Sequence, residues 1–315
     1  MIKLAEFYEA RKRVQKWARR TPFEYSPDLS RRTGAEVWLK LENQQVTGSF
    51  KIRGATNKIL HLREEERVRG VVTASSGNHA QGVGYVAKQL GVRAKIVVPE
   101  MTPQIKIDAI RKYGAELIIV GNEYMVSERL ARKIEKEEGM TFVSAYNDID
   151  IIKGQGTVGL EMIEDKPNLD TILIPVGGGG LASGIASVYQ QATDTAIIGV
   201  QSDTAPVMYE CVMKGYIHDI PLRDTYAEGL HGGLEPGSIS FDLCRDNIDE
   251  WVILNENDIL GAIRYLLHEC HMLVEGAGAV GVAAVLAEPE RWNNKKVGII
   301  ISGGNLGLET LRLVL

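Results

Sequence analysis

The sequence is short of the features that mark several large protein classes. Aromatic residues are scarce, with 4 tryptophans, 11 tyrosines and 5 phenylalanines in 315 residues, too few to supply the stacking platforms of a single-strand nucleic-acid binder. Neither sign of charge dominates: 36 Lys plus Arg stand against 41 Asp plus Glu, for a formal net charge of -5, and no global field favours a polyanion. No apolar run reaches the roughly 18 residues of a membrane span, and the charged stretch from Met1 to Arg20 lacks the apolar centre of a signal peptide. The expectation is a soluble cytoplasmic protein with no membrane or nucleic-acid partner. Cysteine is also rare. Cys211, Cys244 and Cys270 form no CxxC spacing, which suits buried or free thiols in a reducing compartment. The stretch His268-Glu269-Cys270-His271 has two imidazoles but no third ligand nearby, so helix packing is expected there and no metal site.

Glycine is in excess. The 33 glycines exceed the norm of roughly 7%, yet they show no three-residue period and proline is only 10, which excludes a collagen-like or low-complexity chain. The excess is therefore local and calls for local explanations.

Short β-branched or apolar runs alternate with helix-patterned stretches, the signature of an α/β protein with parallel sheets. The runs are residues 36–41, 71–74, 94–99, 117–120, 171–176, 196–200, 251–254 and 297–302, giving at least eight strands. Helices are expected over 54–66, 79–90, 102–113, 123–138, 180–191 and 257–269. Ile172 to Val176 and Val297 to Ile301 lack polar alternation, so both should be central strands covered on two faces. Each ends in a glycine cluster, where ligands of open α/β sheets bind. No linker, repeat or charge block divides the chain, and two lobes closing over a cleft fit better than separate domains on a string.

Three loops carry candidate chemistry. Gly177-Gly178-Gly179-Gly180 follows a strand and opens a helix, a geometry that binds phosphate through backbone amides and the helix N-terminus. A plain tight turn is the alternative; a dinucleotide fingerprint is disfavoured, because no acidic residue sits about 20 positions on at a strand end. Thr47 to Ala55 (TGSFKIRGA) places Lys51 where a polar loop enters a helix, against the helix dipole, which suits a catalytic or ligand-paired amine as well as a solvated one. Ala74 to Gly82 (ASSGNHAQG) follows a strand and offers hydroxyls, an amide and an imidazole, donors suited to a carboxylate or to capping the helix.

In this order, Ser-Phe-Lys-x-Arg-Gly-Ala, Ser-Ser-Gly-Asn-His, tetraglycine and Ser-Gly-Gly-Asn resemble the serine/threonine dehydratase and serine racemase family of pyridoxal-phosphate (PLP) enzymes, of the tryptophan-synthase β fold type. The likeness runs from Thr21-Pro22 to Gly307. It implies a two-lobed α/β fold type II, each lobe a mostly parallel twisted sheet flanked by helices, with residues 1–68 and 147–315 as the large PLP-binding domain and 69–146 as a small mobile domain. It implies a homodimer acting on a small amino-acid substrate. It also implies that Lys51 holds the cofactor as a Schiff base, Phe50 packs near the ring, Asn78 bonds the ring hydroxyl, Gly177, Gly178, Gly179, Gly180 and Leu181 wrap the phosphate, and Ser302 with Gly303 faces the pyridine nitrogen. Glu275 matches a family glutamate near the ring. Ser75, Ser76, Gly77, Asn78 and His79 lie where such enzymes receive the substrate carboxylate.

The chemistry agrees with these roles. A Schiff-base lysine must be deprotonated to attack, and burial lowers its pKa. A hydroxyl such as Ser302 cannot keep the pyridine nitrogen protonated, so the electron sink is weakened and rapid β-elimination is favoured over transamination. The expected activity is therefore α,β-elimination of water from L-threonine or L-serine. A racemase or a 3-hydroxyaspartate dehydratase is the enzymatic alternative, and a nucleotide- or ligand-binding protein without chemistry is the other. The sequence stops just past Ser-Gly-Gly-Asn, so a regulatory domain of the biosynthetic threonine dehydratases is not expected.

Three departures bear on substrate. Ser76 stands where threonine dehydratases of bacteria typically carry alanine and serine racemases carry serine, so a hydroxyl opposite Lys51 is expected to allow some racemisation, unless it only caps the helix. Metal-dependent racemases of the family place carboxylates at the positions of Gln201 and Val207, which makes a divalent cation there unexpected. In Ala227 to Glu235, Gly232 and Gly233 leave space near the substrate's β-carbon, with His231 and Glu235 placed to contact a larger or charged substituent.

Overall fold

The structure, a computed structural model, describes residues 2–315. Ten strands form two sheets. The larger contains β1 (Phe23–Tyr25), β2 (Glu36–Leu41), β7 (Thr171–Pro175), β8 (Ala196–Ser202), β9 (Glu250–Leu254) and β10 (Lys296–Ile301), in the order β1-β2-β10-β7-β8-β9. The smaller contains β3 (Val71–Ala74), β4 (Ala94–Val98), β5 (Glu116–Ile119) and β6 (Thr141–Phe142), in the order β5-β4-β3-β6. Every pairing is parallel except β1 with β2, where Phe23 faces Lys40. The two unbroken apolar runs, β7 and β10, lie side by side at the centre of the larger sheet, with Ile299 opposite Leu173. Both are buried along nearly their whole length, as strands covered on two faces must be.

The differences from the sequence reading are at very short strands, at one helix boundary and at a long buried helix. β1 and β6 are three and two residues long, too brief for alternation to register. The expected helix over 54–66 is two helices, Lys51–His61 and Glu64–Arg69, because Leu62 and Arg63 are extended and Glu66 returns to bond the Arg63 amide at 2.8 Å, starting a new helix. The first of these begins at Lys51 rather than Gly54. The helix Ile149–Asp165 carries little visible periodicity because it is buried on most sides.

That buried helix is the backbone of the larger lobe. Gly54 of helix Lys51–His61 lies against Gly154, where a Cβ would come within 2.6 Å of Arg53 O. On the other side, a Cβ at Gly184 of helix Gly180–Ala192 would come within 2.6 Å of Gly156 N. Glycine pairs thus let three helices approach at backbone distance, and two of the three begin at candidate site residues.

A buried charge network locks the same junction. Arg53, 1% exposed, donates from Nε and Nη2 to Glu42 at 2.8 and 2.7 Å and from Nη1 and Nη2 to Glu161 at 2.6 and 2.8 Å. The second Nη1 hydrogen reaches Thr157 Oγ1, and Nη2 is shared with a third acceptor, Arg19 O. Lys40 Nζ bonds Glu161 at 2.6 Å and Thr21 O at 2.7 Å. Two cations and two carboxylates therefore neutralise one another away from water, which offsets their desolvation only while all four are present. The Arg53→Met variant should lose about 3–5 kcal/mol of stability by leaving buried carboxylates uncompensated. Urea denaturation measures this, and a loss below about 1 kcal/mol, the range of an exposed ion pair, would contradict it.

Candidate active site

The candidate residues converge where the C-terminal ends of β3, β7 and β10 meet the start of helix Lys51–His61. Phe50 N donates to Ser302 O at 3.1 Å, and Ser49 pairs with Gly303 in an isolated antiparallel bridge, so the lysine loop is sewn to the end of β10. Glu275 N donates to Gly303 O at 3.1 Å, and Asn78 Nδ2 donates to Glu275 Oε1 at 2.6 Å. Asn78 Oδ1 accepts from Asn305 Nδ2 at 2.7 Å. Lys51 Nζ donates to Ala145 O at 3.0 Å and lies 5.1 Å from the centre of the Phe50 ring. Lys51, Phe50, Asn78, Glu275, Ser302 and Gly303 thus belong to one connected group, assembled from four separate stretches of chain.

Two loops carry sets of unpaired amides. In the loop after β7, the carbonyls turn inward: Gly178 O accepts from Ser240 Oγ at 2.6 Å and Gly179 O from Ser183 N at 2.8 Å. The amides of Gly177, Gly178, Gly179, Gly180 and Leu181 donate to no protein acceptor among the described residues. Gly179 takes φ +85°, a left-handed conformation that suits glycine. Any side chain here would collide: a Cβ on Gly178 would stand 2.5 Å from the Tyr146 ring, and one on Gly177 2.9 Å from Leu230 Cα. In the loop after β3, Gly77 N turns back to Ser75 Oγ at 3.2 Å, while the amides of Ser76, Asn78 and His79 are likewise without a protein acceptor. Each set sits at the N-terminus of a 13-residue helix, so the helix dipole adds to the attraction for an anion.

The comparisons with known proteins agree with this geometry. Residues 14–303 match the family of pyridoxal-phosphate dependent enzymes. The chain belongs to that family. Over 312 residues it is 44% identical to the L-threonine ammonia-lyase of Thermotoga maritima, covering 99% of this chain and 77% of that one. It is 40% identical to the catabolic L-threonine dehydratase of Staphylococcus aureus, covering 98% and 90%. Among solved structures, maize serine racemase superposes with a TM-score of 0.93 at 33% identity, covering 99% of this chain and 96% of that one. The fold is the two-lobed fold type II of these enzymes. The residues present fit the family's cofactor: one loop has five free amides for a phosphate, and a buried primary amine lies in the same group as a carboxyl and a buried hydroxyl.

Electrostatics tune this PLP-family site toward neutrality. Burial lowers Lys51 to about 8, opposed by the Glu275 charge. Burial raises Glu275 to about 7, opposed by its bond from Asn78. His79 is pushed down to about 3 by burial and then by Lys51. Its neutral ring donates from Nε2 to Val143 O at 2.9 Å and leaves Nδ1 without a partner. The His79 ring is therefore anchored in the interior, and it is the backbone amide that belongs to the loop's anion-facing set.

His231 and Glu235, expected near the substrate, lie on the segment that follows the Glu228–Leu230 turn. The His231 side chain is exposed, and its amide closes the turn on Glu228 O at 3.2 Å. Glu235 is engaged by Asn147 Nδ2 at 3.0 Å and Arg132 Nη2 at 3.6 Å, which leaves little of its charge for a substrate. Gly232 is half-buried at φ +148°, with no atom near enough to crowd a Cβ, in keeping with open space. Sequence reasoning passed over Ala145, Tyr146 and Ser240. Each acts through a carbonyl, a ring face or a bond to a carbonyl, and none leaves a local pattern.

A pH signature follows from Glu275. An acid raised from 4.5 to about 7 stays protonated in the fold while the unfolded chain ionises, so it weakens the ligand-free fold progressively between those pH values. His79, lowered in the fold, has the opposite slope in the overlapping window. The Glu275→Gln variant removes only the first contribution and should gain stability relative to wild type as pH rises from about 4.5 to 7. Denaturation midpoints measured across that range would refute the assignment if the two proteins ran parallel.

Proposed function

We propose that this PLP-dependent enzyme is an ammonia-lyase acting on a β-hydroxy amino acid, with L-threonine and L-serine as leading substrates, in the cytoplasm and as a homodimer. The observation that carries the reading is a buried amine, Lys51, grouped with two amide-lined anion sites. One suits the cofactor phosphate and the other the substrate carboxylate. The two threonine-directed relatives, at 44% and 40% identity, support the same substrate class. Both are threonine enzymes by name, which places threonine first.

In this reading the amides of Gly177 to Leu181 hold the phosphate, Asn78 meets the ring hydroxyl, Phe50 covers the ring and Ser302 faces the ring nitrogen. Bound there, PLP supplies an electron sink for the pair left on the substrate's α-carbon. Lys51, with a pKa of about 8, exchanges a proton readily near neutral pH and takes the α-proton. The amides of Ser76, Asn78 and His79 orient the substrate carboxylate. Glu275, raised to about 7 and bonded by Asn78, is a group that can carry and release a proton near neutral pH beside the reacting centre. The β-hydroxyl departs as water, and hydrolysis of the enamine returns a water and releases the 2-oxo acid and ammonia.

The division into a cofactor-holding lobe (1–68 and 147–315) and a small mobile lobe (69–146) is supported by β3 to β6, all of which fall between Val71 and Phe142. No helix among the described residues is long and apolar enough to cross a membrane. Replacing Lys51 with alanine should cut 2-oxo acid formation from threonine by about 10^3-fold or more. Wild-type protein loaded with PLP but inactive on both threonine and serine would overturn the reading.

A second activity, racemisation, is favoured by Ser76, half-buried in the carboxylate-facing loop, and by the likeness to maize serine racemase. Chiral analysis of recovered serine should show D-enantiomer with the wild type and a loss of it in Ser76→Ala, with dehydration retained. Equal racemisation by both proteins would assign Ser76 to capping alone.

A further inference from the structure

Two helices of the smaller lobe each send one cation across the cleft, and both reach the same segment of the larger lobe. Lys106, on helix Gln104–Arg111, meets Glu228 at 2.5 Å. Arg132, on helix Tyr124–Glu138, faces Glu235 at 3.6 Å. The segment they hold, residues 226–238, is more than a surface loop. Its turn Glu228–Leu230 lies directly on the site: a Cβ on Gly177 would stand 3.3 Å from Gly229 O, and one on Gly229 3.7 Å from Glu275 Oε1 and 3.0 Å from Ala277 Cβ. Farther on, Glu235 N donates to Tyr146 OH at 2.9 Å, and the Tyr146 ring packs on Gly178. The segment touches the tetraglycine loop directly at Gly229 and Leu230 and reaches it again through Tyr146, while the smaller lobe holds it from outside.

We propose that Lys106 and Glu228 are positioning residues, whose ion pair across the cleft seats the Glu228–Leu230 turn against Gly177 and Glu275 when the lobes are closed. The inference rests on the reading of the site given above. Neither side chain touches the reacting group; each acts through the turn and through its charge. Glu275 is faced by Asn78, Lys51, Lys106, Glu228 and the Asn305 backbone. Within that set Glu228 pushes the Glu275 carboxyl up and Lys106 pulls it down, so the two members of the pair act on Glu275 in opposite directions while together holding the turn. A pair with both members partly in water is weak enough to open on each turnover and is screened by salt.

The test uses Lys106→Gln, Glu228→Gln and the charge-exchanged double variant K106E/E228K in the full chain. Both single variants should lower kcat/KM for threonine by about fivefold, the scale of one exposed ion pair, and speed amide exchange in residues 226–234 by a similar factor. The double variant should recover most of both. In ligand-free protein, carboxyl-carbon NMR should find the Glu275 titration moved up by Lys106→Gln and down by Glu228→Gln, opposite shifts that mere loosening of the fold would not produce. Unchanged exchange, shifts of the same sign, or no recovery in the double variant would overturn the proposal. If wild-type enzyme turned over neither threonine nor serine, the proposed function would fall, while the exchange and NMR results would still decide the role of the pair.

Discussion

The buried contact between Arg53 and its two carboxylates underlies the rest of the site. Arg53 lies two residues beyond Lys51 on the same helix, and it ties that helix to Glu42 after β2 and to Glu161 on helix Ile149–Asp165. A lysine at the first turn of a helix is poorly placed electrostatically, and its side chain is long and flexible. What fixes its origin is the rigid fork of a neighbouring guanidinium whose hydrogens are all engaged. With Gly54 and Gly154 in near contact, the helix has almost no freedom to slide or roll. The site's reactive amine is therefore held by a network that never meets a ligand. That separation is useful, because a buried ion cluster gives directional restraint that apolar packing alone does not.

The glycines serve a second constraint. An anion bound by backbone amides needs the chain to bring several N–H groups to one point, with the carbonyls satisfied elsewhere and no side chain in the way. In the loop after β7 all three conditions are met by identifiable partners: Ser240 and Ser183 take the carbonyls, Tyr146 and Leu230 occupy the space where Cβ atoms would go, and Gly179 takes the left-handed turn. Cys244 lies beneath the same loop, its thiol pushed up to about 12 by burial, and so serves as an inert packing group. The cysteine scarcity and the glycine excess of the sequence meet at this one place.

How much of this was readable in the sequence divides along physical lines. Central strands β7 and β10, the glycine clusters at their ends and the loops bearing Lys51 and Asn78 were all legible, because each is encoded within about ten consecutive residues. β1 and β6 were not, since strands of three and two residues have no period to detect. Helix Ile149–Asp165 was missed because burial on most sides erases amphipathicity. Within the site, Phe50, Ser302, Gly303 and Glu275 are joined through backbone bonds that only the fold creates. Arg53 stood in plain view inside the lysine motif, yet its partners Glu42 and Glu161 are 11 and 108 residues away, and long-range pairing of charges leaves no local signal. His231 and Glu235 were placed near the substrate by position in a segment; the fold adds that the first side chain is exposed and the second is bonded by Asn147 and faced by Arg132, partners with no local signal.

The electrostatic design of the site follows from these placements. Lys51 lies within electrostatic reach of both Glu275 and His79, and burial moves each of the three toward its neutral form, with only partial opposition from neighbours. The fixed positive potential therefore comes from amides and helix termini, which need no counter-ions and do not reorganise when an anion arrives. A phosphate and a carboxylate can then be held without a cationic side chain close enough to the amine to shift its titration. An arginine in place of the glycine amides would bind phosphate as well, but its charge would also lower the amine's pKa further and attract the substrate carboxylate to the wrong end. Binding anions with backbone dipoles leaves the titration of Lys51 to burial and Glu275, so that a single amine near pH 8 can both hold a carbonyl compound and move a proton.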